Sequence, residues 1–566
     1  MIRDCDLLVV GSGAAGMAAA ITARLHGLDV VLVEKEPWFG GTTAVSGGWC
    51  WVPGSPPARA AGVEDSPDAA LTYLLGETGN RGYRARIEAY LDEAPRMVAF
   101  FEEKTAVKFL ASPQFPDYHS DAPGAGRGRS IVTAPFDARL LGEFRTTLRP
   151  PLAQTTLLGL NIGSGTELTH FFNATRSWRS GLYVIRRIAR HAVEVGRYGR
   201  GVSLANGNAL AARLLKSAVD AAVELHLRSR VIALRQEQGR VVGAQLEGDA
   251  GAFEVRAKYG VVLACGGFSR DEALLRRLFP HVRAGAPHAS PAAEGATGDG
   301  LRLGETVGGE IDETLPNAAA WMPVSRVPDK NGLMIFPHVI DRAKPGVIAV
   351  VAPGLRFVNE ALSYHDFVQA LMAATDGDKP QAFLICDHRT IRRFGLGYVR
   401  PFPVPISGHI ASRYLRRGRS IGVLAVSCGL DPTTLERTIA AFNRDAARGV
   451  DAQFGKGSTA YNRFQGDQSG SGDPCLAAIE RAPFYAIAVE PGDIGTFAGL
   501  KTNARGQVLD RAGIPIPGLY AAGNDSVSVM AGSYPGAGIN LGPAMTFGYI
   551  IGRQAASEAN QILGKV

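Results

Sequence analysis

DCDLLVVGSGAAG, residues 4–16, is the stretch on which the fold turns. Residues 4–10 read as one buried parallel strand, because a sheet covered on both faces asks for an unbroken apolar run. After it come Gly11, Gly13 and Gly16. Ala14 and Ala15 open a helical stretch that continues as AAITARLHG (19–27), and a second apolar run, 29–33, closes on Glu34 and Lys35. Each part has a physical reason. Gly11 permits the tight turn, Gly13 lets a pyrophosphate approach the backbone, and Gly16 lets the helix lie close on the strand. The helix amino terminus offers free N–H groups to phosphate. Glu34, with Lys35 beside it, ends the second strand where it can accept from ribose hydroxyls. A lone glycine motif is weak evidence. Strand, turn, helix, strand and terminal acid in that order imply dinucleotide binding.

Three further segments point to FAD rather than a nicotinamide nucleotide. Past Glu34 lies Gly40-Gly41-Thr42-Thr43-Ala44-Val45-Ser46-Gly47-Gly48, small and hydroxylated, able to lie flat along a flavin. GVVLACGGF (260–268) reads as a late strand running into Ala264, Gly266 and Gly267. GLYAAGN (518–524) ends in Gly523 and Asn524, and a turn from Gly538 through Asn540 and Leu541 to Gly542 opens a terminal helix. The N–H groups of that turn would face the flavin pyrimidine, where negative charge develops on reduction. No second GxGxxG unit is present for NAD(P)H. The predicted fold is therefore α/β. Residues 1–283 and 484–566 form a Rossmann-like FAD-binding domain of the glutathione-reductase type, around an inserted α+β domain, 284–483, that caps the substrate. The FAD is expected to be held non-covalently.

Composition narrows the class. Sixty-nine glycines in 566 residues are about 12%, against a usual ~7%. The net charge of +7 is compatible with nucleic acid or an anionic surface, but no nucleic-acid module is present. Six scattered cysteines without CxxC spacing give no support to a metal, iron–sulfur or haem site. No run of ~18 uncharged apolar residues exists, so no membrane span is expected, and the cytoplasm or its membrane face is the expected compartment.

Three more motifs carry a resemblance: FPDYH (115–119) with GRSI (128–131), RFVNEALSYHDF (356–367) and GSYPGAGINLGPA (532–544). In this order they resemble the superfamily of fumarate reductase and succinate dehydrogenase flavoproteins, and within it the 3-oxosteroid Δ1-dehydrogenases. Fumarate reductases carry an arginine where this chain has Tyr364, a histidine in the stretch matching 494–499, and an arginine in that matching 539–541. A dicarboxylate leaving water needs such cations, so their absence argues against fumarate or succinate. Tyr118, Tyr364, Tyr534 and Gly538 match the steroid enzymes, whereas His119 stands where a second tyrosine is common. The resemblance implies FAD-dependent 1,2-desaturation of a 3-oxosteroid. The Tyr534 hydroxyl and Gly538 N–H would hold the ketone oxygen, Tyr364 with help from Tyr118 would take the α-proton, and flavin N5 would receive the β-hydride. A free tyrosine titrates near ~10, so such a base needs a neighbour that favours tyrosinate, for which a hydrogen bond from Tyr118 is one device.

Alternatives stay open. The same tyrosines would serve a desaturase of small cyclic ketones. A subgroup that desaturates the 4,5-bond, the Δ4-(5α)-3-oxosteroid dehydrogenases, has serine where this chain has Gly536. A reductase running in reverse and a flavin-binding protein without catalysis are further rivals. The sequence leaves the electron acceptor, a diffusible quinone or similar carrier, and the oligomeric state undecided. Residues 151–200 exceed the family pattern, and 176–200 holds seven arginines against one glutamate, with Trp178, Tyr183, Val184, Ile185, Ile188 and Tyr198 interleaved. Near-helical spacing there predicts a basic amphipathic helix, able to lie on an anionic bilayer or to pack on the protein with its arginines solvated.

Overall fold

The computed structural model describes residues 2–79, 83–249, 251–330, 332–375, 379–469 and 472–563. At its centre is a six-stranded sheet. Strands Leu7–Val10, Val30–Val33, Glu224–His226, Val261–Leu263 and Pro515–Ala521 run parallel, and Gln507–Leu509 adds an antiparallel edge. Alternation sorts the strand residues between two cores. Leu7 and Val9 join the cluster that holds the helices Ala14–Leu25 and Leu541–Leu563, while Leu8 and Val10 face the opposite cluster.

The run 4–10 is not one strand. Ile2–Cys5 pairs with Gly251–Ala257 in a separate four-stranded sheet, and only Leu7–Val10 enters the central one. Asp6 makes the break, its carboxylate accepting from Asp29 N at 2.8 Å while its N–H donates to Asp29 O at 2.9 Å. An acid at that point stops the apolar run and lets the chain change sheets.

The two ends of the chain meet through glycines. A Cβ on Gly548 or Gly552 would lie 2.4 or 2.7 Å from the backbone oxygens of Ala15 and Ala19, so the terminal helix rests directly on the first. Between them stands a second sheet of seven strands, in which Ala319–Asp329, Phe484–Thr496, Ala382–Asp387 and Val347–Val351 lie side by side. Residue 484, placed at a domain boundary by the sequence, is the first residue of a strand that stays in this sheet to Thr496. The apolar run continues unbroken there, so composition alone carries no mark of the crossing. The segment 151–200 folds as short turns followed by helices Thr166–Phe172 and Trp178–Tyr198. It is tied to the second sheet by Gln154 Nε2 donating to Ile335 O at 2.6 Å.

Candidate active site

The glycine turn is a cradle of the kind the sequence describes. Gly11 has φ +105°, and a Cβ there would lie 2.2 Å from Ala264 O, while one on Gly16 would lie 1.9 Å from Gly11 O. These contacts leave room only for glycine. Toward the open side, a Cβ on Gly13 would meet only Thr43 Oγ1, at 3.8 Å, and one on Gly266 would meet nothing within 4 Å. Backbone is thus left bare for a large ligand, and FAD fits the residues present. One expectation changes. Ala14 N in the first turn is not free but donates to Thr43 Oγ1 at 2.9 Å. The hydroxyl run docks on the turn from the side, with Gly41–Val45 forming a 3-10 helix and Gly40 N donating to Ser12 Oγ.

Glu34 is buried at its strand end. Its Oε2 accepts from Ser12 N at 3.0 Å and Ser12 Oγ at 2.6 Å, and Oε1 from Glu36 N at 3.0 Å. A carboxylate has about four acceptor positions, so one remains for a ribose hydroxyl. Lys35 turns to Asp299 at 2.8 Å and Thr297 Oγ1 at 2.5 Å. Thr42 Oγ1 accepts from Ala293 N, and Ser46 Oγ donates to Thr43 O. Gly48 (φ +68°) lies against the backbone of Asn206, and Gly47 beside Trp49. Across the turn, Gly523, Asn524 and Asn540 line a narrow cleft with Thr496, whose buried hydroxyl has no partner among the described residues. Leu541 begins the terminal helix. Asp525, not singled out from the sequence, is wholly buried and accepts from Cys265 N at 2.5 Å and Gly267 N at 2.9 Å, fixing the turn that follows Ala264.

Tyr118, Tyr364 and Tyr534 come from three distant segments and meet. All are buried, with ring centroids 5.8 Å apart for 118–364, 4.9 Å for 364–534 and 5.7 Å for 118–534, the last pair stacked. The Tyr118 hydroxyl donates to that of Tyr364 at 3.2 Å. Tyr364 is the first residue of helix Tyr364–Ala374, whose N-cap Ser363 accepts from Asp366 N at 3.1 Å. Gly538 (φ +94°) lies against the strand Trp49–Trp51. A Cβ on it would sit 2.3 Å from Trp49 O, and its carbonyl accepts from Trp51 N.

Burial holds all three phenols above the ordinary tyrosine value. The sequence expectation of a tyrosinate at Tyr364 is therefore corrected for the resting site. Desolvation, with two further phenols beside it, outweighs the single hydrogen bond from Tyr118. What the site offers at rest is a group of neutral hydroxyls in an aromatic wall, suited to holding a carbonyl oxygen.

The motifs flanking the tyrosines are their supports. Asp117 of FPDYH accepts from Trp51 Nε1 at 2.7 Å, Gly126 N at 2.9 Å and Arg129 Nη1 at 2.7 Å, and Arg129 of GRSI also binds Asp65 at 2.8 Å. Glu360 pairs with Arg356, which also pairs with Asp451, anchoring the loop before Tyr364. His365, its pKa pushed down to about 4 by burial, accepts from Trp321 N and is 3.2 Å from Gly532 O, two residues before Tyr534. Tyr461, which the sequence did not flag, stacks on Tyr118 at 4.5 Å. It lies in a polar stretch with no motif, so only the fold could reveal it.

Comparison with known proteins follows from this geometry. Residues 6–541 match the model of a family described as FAD binding domain. The chain is 41% identical to 4-oxocyclohex-2-ene-1-carboxylate 5-dehydrogenase of Sinomonas cyclohexanicum over 98% of its length and 94% of that protein. It is 34% identical to 3-oxosteroid 1-dehydrogenase of Mycobacterium tuberculosis, over 99% of this chain and all of that one. The crystal structure of 3-ketosteroid delta1-dehydrogenase from Sterolibacterium denitrificans in complex with 1,4-androstadiene-3,17-dione superposes with a TM-score of 0.89. It is 33% identical, over 98% of this chain and 100% of that one.

Proposed function

This chain belongs to the FAD-binding-domain flavoproteins and, within them, to the 3-oxosteroid 1-dehydrogenase family, and we propose that it inserts a 1,2-double bond into 3-oxosteroids. It is an FAD-dependent oxidoreductase acting on CH–CH groups. The observation that carries the finer reading is the convergence of Tyr118, Tyr364, Tyr534 and Gly538 at one buried point.

When bound, FAD supplies an acceptor for two electrons and one hydrogen. Tyr534 Oη and Gly538 N–H hold the ketone oxygen and stabilise the negative charge that grows there. Tyr364 Oη takes the proton from the α-carbon. Tyr118 Oη, hydrogen-bonded to it, carries the proton of the resting Tyr364 phenol away. The substrate loses one proton and one hydride from adjacent carbons, and the freed pair becomes the double bond. Aromatic packing around the tyrosines excludes water, which strengthens each of these polar contacts. A diffusible carrier such as a quinone would then reoxidise the cofactor.

A second reading has its own observation. The relative at 41% identity is named for a carboxylated cyclohexenone, so a small monocyclic ketone is the rival substrate. The 4,5-desaturation of steroids is disfavoured, because the space of a side chain at Gly536 is taken by the Trp51 ring. Dye-coupled turnover of 4-androstene-3,17-dione and 4-oxocyclohexanecarboxylate by the purified flavoprotein separates the readings. A kcat/KM at least tenfold higher for the monocyclic acid would overturn the steroid assignment, and no flavin bleaching by either ketone would overturn both.

A further inference from the structure

The helix Trp178–Tyr198 is turned inside out relative to an ordinary surface helix. Its buried positions are Ser180, His191 and Glu194. Glu194 accepts from Val202 N, Ser203 N and Ser203 Oγ, and His191 Nε2 is 3.1 Å from Leu158 O. Arg187 is largely covered, pairing with Glu167 at 3.0 Å. The apolar positions face solvent instead: Trp178 is 74% exposed, Ile185 65% and Val193 70%, with Leu182, Ile188 and Val195 also exposed. At 100° per residue these form one stripe. Arg179, Arg186 and Arg197 run along one edge of it, all exposed.

A second feature adjoins the helix start. Arg176, two residues before Trp178, lines a cavity of about 410 Å³ together with Arg389, Arg392, Arg393, Arg481 and His388. Among the described residues the ion pair at this site is Arg393 with Asp467, so positive charge is in excess. Arg389 and Arg392 donate to the backbone carbonyls of Ala478 and Val404, and Arg393 Nε is buried without a partner among the described residues. Burial and the charge of Arg393 lower the pKa of Arg176, as expected where cations crowd without their anion.

We infer that the apolar stripe of helix Trp178–Tyr198 and the arginine cavity at its amino-terminal end form one docking surface for an anionic phospholipid bilayer. The stripe enters the acyl boundary, the flanking arginines reach the phosphates, and the cavity receives a lipid headgroup. Charge selects this occupant over a second copy of the chain. The helix has one acid, Glu194, which is buried, so two such faces would bring arginine rows together with nothing to neutralise them. Among the described residues no helix is long and apolar enough to cross a membrane, so the contact is lateral.

The test is cosedimentation of the full-length holoenzyme with vesicles of phosphatidylcholine alone or mixed equally with phosphatidylglycerol. The wild type should partition at least tenfold more strongly to the anionic vesicles. I185E/V193E and R176Q/R481Q should each lose at least tenfold of that partitioning, with flavin content and turnover of a soluble ketone unchanged. A wild type left in the supernatant with anionic vesicles overturns the proposal. So does retained binding by I185E/V193E, which would make the cavity a site for soluble phosphates alone. If light scattering finds a wild-type dimer that I185E/V193E converts to monomer, the stripe belongs to a second copy and the bilayer assignment falls.

Discussion

His119 Nε2 lies 3.0 Å from Asp366 Oδ2, so the residue after Tyr118 is joined to the helix that begins at Tyr364. Its Nδ1 is 2.7 Å from Glu77, which also accepts from Ser533, the neighbour of Tyr534. One imidazolium thus ties together the three segments that carry the tyrosines. Burial alone would lower its pKa, but Asp366 and Glu77 outweigh this and raise it to about 10. The raised value fixes the sign. The clamp contributes fully below the unfolded histidine value of ~6.5 and is lost as pH rises toward about 10. Urea midpoints of the wild type should fall between pH 7 and 10, whereas H119Q should start lower and show a flatter profile. A wild-type midpoint that holds steady to pH 10 would contradict the clamp.

Removing single hydroxyls separates the roles of the tyrosines. Y364F should lower kcat by about 10²–10⁴-fold, as loss of a positioned proton acceptor does. Y534F should cost about 10²–10³-fold, the range for one donor to a developing oxyanion. Y118F, one step removed, should cost about tenfold. Because Tyr364 sits above the ordinary phenol value, its ionised fraction rises tenfold per pH unit through neutrality. Wild-type kcat/KM should therefore climb between pH 7 and 9, and Y364F should lose that slope. Rapid-reaction flavin bleaching under anaerobic conditions reads both effects without the acceptor step.

Gly536 leaves its side-chain space to an indole. A Cβ there would sit 2.4 Å from Trp51 Cδ1, and the ring is held in place by its bond to Asp117. G536S should destabilise the fold by about 1–3 kcal/mol, the usual cost of overfilling a packed site. Differential scanning calorimetry measures it. The paired W51F/G536S, with a smaller ring, should recover part of the loss; an unchanged melting point in G536S would show that the ring moves freely.

What could be read from the chain alone is local. Gly11 and Gly16 announce themselves because their contacts lie within the turn they form or with the Ala264 segment, itself an apolar strand end. The convergence of Tyr118, Tyr364 and Tyr534 was legible through family resemblance, since nothing in their spacing brings residues 246 positions apart together. Asp525 and Tyr461 were missed because their partners, Cys265 and Tyr118, are hundreds of positions away. The helix at 178–198 was seen, but not which side faces in. Its periodicity gives the stripe, whereas Glu194 finding Ser203, and Arg187 finding Glu167, decides the direction. The break at Asp6 and the strand that carries residue 484 onward into the second sheet failed for the same reason. Pairing partners, not composition, end a strand.

Arg129 is the support whose loss tells most about the site. Its guanidinium is almost wholly covered and holds Asp65 and Asp117, while Asp117 in turn fixes Trp51 and begins the backbone that presents Tyr118. Against Arg129 the Asp117 carboxyl still titrates high, at about 6, because burial opposes its charge. Replacing Arg129 with methionine keeps much of the volume but leaves two acids in a dry environment, which costs about 3–5 kcal/mol. R129M should show that loss in urea unfolding at pH 7.5 and a smaller one near pH 5, where protonation relieves the stranded carboxyls. Turnover should fall through kcat, since Tyr118 loses its fixed place, and R129K should restore stability more than rate, because one ammonium cannot bridge two carboxylates in the geometry of a guanidinium. Equal unfolding midpoints for wild type and R129M at pH 7.5 would refute the bridge as a structural element.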